Sequence, residues 1–172
     1  MASEERIDFL AVVTAVAGLI GFIGVYAKWF SYEYAVEGGT ITIFLDGTWD
    51  TTGALALTGG IGALAFGCAY MLLTDPAIRR IVVLLMVISS ILLLLASIFG
   101  FTRVDDAVTD SPLMPGATGT EFTATVAVGL WISLVCGILA TAASMLLVTR
   151  RESGQEADAP DGATDGATAD AV

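Results

Sequence analysis

The chain has no histidine in its 172 residues. That absence removes histidine-ligated haem, histidine-containing zinc sites, Ser–His nucleophilic pairs and imidazole proton relays. Cysteine is scarce: Cys68 and Cys136 lie in separate apolar stretches and form no C-x-x-C pair, which speaks against a thiol oxidoreductase. Both read as small packing residues. Charge is missing where it would matter most, since residues 9–27, 51–74, 81–102 and 122–149 contain no Asp, Glu, Lys or Arg. An ion- or proton-coupled transporter usually keeps an ionisable group at mid-membrane, despite a cost of roughly 2.5–3.5 kcal/mol. None is available here, and no catalytic constellation or cofactor site is visible. The chain is read as a non-enzyme with no cofactor and no metal.

What is present is apolar. Hydrophobic residues make up 56% of the chain, charged residues 15%, and the mean hydropathy is +0.83. Crossing about 30 Å of hydrocarbon takes roughly 20 helical residues. The four uncharged stretches therefore predict transmembrane helices over about residues 9–27, 53–73, 81–101 and 122–148. The leader before the first holds Glu4, Glu5 and Asp8 against Arg6, unlike the basic start of a signal peptide, so the first span is expected to be retained. Arg6, Arg79, Arg80, Arg150 and Arg151 fall on one side of the spans, and Lys28 and Arg103 on the other. The excess of basic residues places both termini in the cytoplasm of a multi-pass cell-membrane protein. The expected fold is all-α and membrane-embedded: a four-helix domain, residues 1–151, with a small extracellular β-hairpin between helices one and two, then a disordered acidic tail, residues 152–172.

In the first external segment the pattern changes period. Residues 31–49 read as a hairpin, with Gly38-Gly39 suited to a two-residue turn. That turn sets Val36 opposite Ile41, Tyr34 opposite Ile43 and Tyr32 opposite Leu45 on one apolar face. The other face pairs Glu37 with Thr40, Ala35 with Thr42 and Glu33 with Phe44. Trp29 and Trp49 read as anchors at the outer membrane interface. The second external loop, residues 102–121, contains Pro112, Pro115, Gly116 and Gly119 and shows no regular pattern.

The formal net charge is −11, and one lysine stands against six arginines. This acid-rich, lysine-poor balance resembles that of halophilic archaeal proteins, and it gives no electrostatic reason to bind nucleic acid or anionic lipid. The tail repeats Asp-Gly-Ala-Thr at 161–164 and 165–168 and has no apolar surface with which to build a core. Neither Asp105, Asp106 and Asp110 nor Asp46 and Asp50 has the ligand spacing of a calcium loop.

The helices carry small residues at helical spacing: Gly18, Gly21 and Gly24 with Thr14 in the first, and Gly59, Ala63 and Gly67 in the second. The fourth has Thr125, Gly129, Ser133, Gly137 and Thr141 along one ridge. Small ridges let helix backbones approach closely where lipid supplies no hydrophobic drive. Helix three, rich in large aliphatics, is expected to face lipid most.

Trp29, Gly47-Thr48-Trp49 and the β-rich segment between them resemble the claudin and peripheral-myelin-protein group of four-helix membrane proteins. Thr48 stands where that group carries leucine, and its paired external cysteines are absent here. The resemblance implies four helices, both ends inside and a β-rich external segment. The functional expectation is a non-catalytic membrane scaffold or partner-binding protein. It would sit in the lipid bilayer and associate with another membrane protein or a second copy. The alternative is a small oligomeric channel or permease subunit.

Overall fold

A computed structural model describes residues 9–36, 39–49, 51–104 and 122–157. The side chains of residues 34–36, 49, 122 and 151–157 lie outside that description.

Four helices form the body: α1 (Phe9–Tyr26), α2 (Thr51–Leu72), α3 (Pro76–Thr102) and α4 (Val128–Ala157). Each is long and apolar enough to cross a membrane, α4 over its portion Val128–Arg150. Three non-helical residues, 73–75, join α2 to α3, so those two helices run antiparallel. At the other end sit the C-termini of α1 and α3 and the N-termini of α2 and α4, gathered by one small sheet. The bundle is therefore up-and-down. Each helix packs on its sequence neighbours, and α4 closes the ring against α1.

The sheet has three strands in the order β2-β1-β3: β1 is Lys28–Val36, β2 Gly39–Asp46 and β3 Phe122–Val126. Both pairings are antiparallel. A two-stranded hairpin is the sequence expectation, and β3 corrects it. Residues 122–126 belong to a strand, so Thr125 is not part of the α4 ridge. It stands on β3 opposite Ser31, whose carbonyl accepts its hydroxyl at 3.3 Å.

The hairpin register also differs from expectation. Val36 pairs with Gly39, Tyr34 with Ile41, Tyr32 with Ile43 and Phe30 with Leu45. A slip of two residues keeps every side chain on its expected face. It gains the Phe30–Leu45 pair, both of whose side chains are buried, where the expected register would set Phe30 against Gly47.

Two helix boundaries move for local reasons. Asp75-Pro76 falls in the link between the expected second and third helices, and it is the start of α3. The Asp75 carboxylate accepts from the Ala77 amide at 2.8 Å, and Pro76 stands in the first turn, where its missing N–H costs nothing. Helix α3 thus includes Arg79 and Arg80. Helix α4 continues to Ala157, six residues into the segment expected to be disordered. Arg, Glu, Gln and Ala there are good helix formers even without a core to bury. Residues 158–172 of the tail lie outside the described residues, as do the leader 1–8 and residues 105–121 of the second loop.

The core has two clusters. One, at the sheet end, gathers Val25, Trp29, Phe30, Tyr32, Leu45, Leu93 and Leu130. The other, at the far end, gathers Leu10, Tyr70, Val82, Val83, Met86 and Leu147. Helix α3 is as buried as α1, and α2 is the least buried of the four, which corrects the expectation that helix three faces outward most. Its inner stripe is built from Ser89, Ser90, Leu93, Ala96, Ser97 and Gly100, a small-residue face that its leucines mask in the sequence.

Candidate functional site

The candidate site is the sheet and its seat on the bundle. The chain leaves α1 through a turn in which the Ala27 amide donates to the Gly24 carbonyl at 3.2 Å, and β1 begins at once. A bulge between Lys28 and Phe30 interrupts the pairing with β2. An extra residue there lets two consecutive side chains turn inward. Trp29 is 0% exposed and Phe30 2%. The Trp29 indole N–H donates to the Gly24 carbonyl at 3.0 Å.

Trp29 is therefore not an anchor at the membrane interface. It is the keystone of the junction, and glycines make room for it. A Cβ on Gly47 would stand 2.6 Å from the indole ring, and one on Gly100 would stand 3.3 Å from it. Gly53 allows the turn Gly47–Trp49 to press its backbone onto the first turn of α2. Asp46 holds that turn by accepting from the amide and hydroxyl of Thr48. The Trp49 side chain lies outside the described residues.

Aromatic contacts continue outward from this seat. Phe30 meets the Trp29 ring edge-on at a centroid distance of 6.3 Å. Tyr32, 5% exposed, packs beside Phe30, and its hydroxyl donates to the Val104 carbonyl at 3.0 Å, tying the sheet to the exit of α3. The Ala127 amide donates to the Trp29 carbonyl at 2.7 Å, tying in the entry to α4. The sheet is thus bonded to its helices on several sides.

Further out this cover ends. On the same face, Ile43 is partly buried and Ile41 is 50% exposed. The side chains of Tyr34 and Val36, expected on this face, lie outside the described residues. On the opposite face Phe44 is 46% exposed with the Lys28 ammonium 3.5 Å from its ring centroid, a cation–π contact among exposed Glu33, Thr42, Thr123 and Thr125. The outer edge of β2 pairs with no described strand.

Apart from Thr125 on β3, the glycines and Ser133 named from the sequence lie between helices. Gly18 faces Gly60, Ala63 and Leu64 of α2, Gly67 faces Ala11 and Ala15 of α1, and Gly59 faces Ser89 and Leu93 of α3. Gly21 lies against Leu93 and Cys136, while Gly129 lies against the Gly24 and Lys28 carbonyls. Gly137 lies against Leu94, and Ser133 donates to the Gly21 carbonyl at 3.5 Å. These contacts are within one chain.

Sequence reasoning missed the buried hydroxyls Ser90 and Ser97 on α3 and Ser144 on α4. Ser90 and Ser97 donate to carbonyls four residues back, at 2.8 Å each, as Thr14 does at 2.9 Å. Such back-bonding satisfies a hydroxyl inside its own helix, so these groups offer little to a solute. Among the described residues, no three His, Cys, Asp or Glu side chains are grouped to hold a metal ion.

No family model matches the chain, and no curated protein matches it.

Proposed function

We propose that this chain is a non-catalytic scaffold or partner-binding protein of the cell membrane, with four spans and both termini in the cytoplasm. The observation that carries this reading is the contrast within the sheet. Its inner half is seated on the bundle by Trp29, Phe30, Tyr32 and Leu45, while Ile41 and Phe44 remain about half exposed. A rigidly held sheet with Ile41 open at its outer end and Phe44 open on its opposite face suits recognition of another membrane protein or a second copy. The bundle interior supports the same reading, because Met86, Leu93, Leu130 and Leu147 fill it and are fully buried.

The test is purification in mild detergent of the wild type and of Ile41→Asp, with flux measured in reconstituted vesicles. The expected result is a co-purifying protein or a dimer in the wild type, its loss in the variant with insertion unchanged, and no flux in either. Selective solute or ion flux that survives the substitution would replace the scaffold by a channel.

A further inference from the structure

The end of the bundle away from the sheet carries two guanidinium groups, those of Arg79 and Arg80, with no anionic partner among the described residues. Arg79 and Arg80 stand in the first two turns of α3 and point about 100° apart. Arg79 heads the buried stripe through Val83 and Val87, and its guanidinium lies over the Tyr70 ring, 4.7 Å from the centroid. Tyr70 is itself held in the core beside Val82 and Val83. The Arg79 Nε is buried and has no hydrogen-bond partner among the described residues. Arg80 is exposed and heads the adjacent outward stripe, where Leu84 is 60% exposed and Ile88 53%. The carboxylate nearest in sequence, Asp75, is engaged in capping the helix.

These facts combine. The contact with Tyr70 holds the Arg79 guanidinium over the ring, and burial of Nε keeps water from one edge of its charge. An anion at the remaining N–H groups is then worth more than at a fully hydrated arginine. Beside it, Arg80 adds a second charge at the head of an outward aliphatic stripe. A phosphate on these two groups would have its hydrocarbon continue along Leu84 and Ile88.

We propose that Arg79, seated on the Tyr70 ring, and Arg80 bind the phosphate of an anionic lipid headgroup whose acyl chains lie along α3. This rests on the reading of the helices as membrane spans. It also runs against the expectation drawn from the net charge of −11, because a headgroup responds to the charges within a screening length and not to the chain average.

The experiment follows unfolding of the full chain in mild detergent while phosphatidylglycerol, phosphatidylcholine or inorganic phosphate is added. Phosphatidylglycerol is expected to stabilise at lower concentration than phosphatidylcholine, with inorganic phosphate having no such effect. Arg80→Gln, at an exposed position, should weaken the preference for phosphatidylglycerol about fivefold. Arg79→Gln should do the same if it folds, and Arg150→Gln, exposed at the same end, should leave the preference intact. Equal response to the two lipids, an unchanged preference in Arg80→Gln, or an equal loss in Arg150→Gln would overturn the site. Stabilisation by inorganic phosphate alone would make it a free-phosphate site instead. Carbonate-resistant recovery of every variant with membranes tests the spanning reading separately.

Discussion

The two ends of this bundle are closed in different ways. At the sheet end the connections are long, and the chain spends them on a lid: Trp29 under Gly47 and Gly100, Phe30 against Trp29, and Tyr32 tied to Val104. At the far end three residues join α2 to α3, and among the described residues Arg79 lies over Tyr70. The first closure joins segments far apart in sequence and is specified by aromatic shape. The second is local and specified by a cap and a charge. Rigidity should therefore be concentrated at the sheet end, and exchange with surrounding molecules at the other.

The sharpest way to break that comparison is Trp29→Ala. It removes the largest fully buried side chain and a hydrogen bond, and about 3–5 kcal/mol of stability should be lost in unfolding measurements in detergent. A loss below about 1 kcal/mol would show that the lid does not hold the sheet end together. Next in size is Gly137→Leu on α4, whose Cβ would stand 2.8 Å from the backbone of Leu94 on α3. Overpacking of this kind costs about 1–3 kcal/mol, and unchanged thermal stability would mean that α3 and α4 do not approach at this point. Tyr32→Phe keeps the ring but removes its bond to the Val104 carbonyl, for an expected loss of about 0.5–1.5 kcal/mol by the same assay. The smallest effect belongs to deletion of residues 158–172. Stability should stay within about 0.5 kcal/mol, and failure of the truncated chain to reach the membrane would assign the tail a structural part.

These substitutions also separate what was legible in the sequence from what was not. The helices were legible because four long runs lack any charge. The faces of the hairpin were legible because alternation fixes them, but the register was not, since a slip of two residues preserves every face. Strand β3 has its own signal, the alternation Phe122-Thr123-Ala124-Thr125-Val126, but that run merges into the apolar start of α4 and reads as helix. Burial of Trp29 was hidden for another reason. It depends on Gly47 and Gly100, which are remote in sequence, whereas a tryptophan at the end of an apolar run suggests an interface by itself. Arg79 over Tyr70 is not legible because the third span, drawn from its uncharged run, begins only at residue 81, whereas α3 begins at Pro76.

The measurement closest to the central claim is side-specific labelling in intact cells. In a background with Cys68 and Cys136 replaced by alanine, single cysteines would be placed at Thr42 on the sheet, at Thr74 in the short link and at Ser153 near the end of α4. A membrane-impermeant thiol reagent is expected to label Thr42→Cys and to spare Thr74→Cys and Ser153→Cys until the cells are opened. Labelling of Thr74→Cys and Ser153→Cys from outside, with Thr42→Cys protected, would invert the orientation. Labelling of all three in intact cells would contradict a bundle that spans the membrane with its sheet on one side.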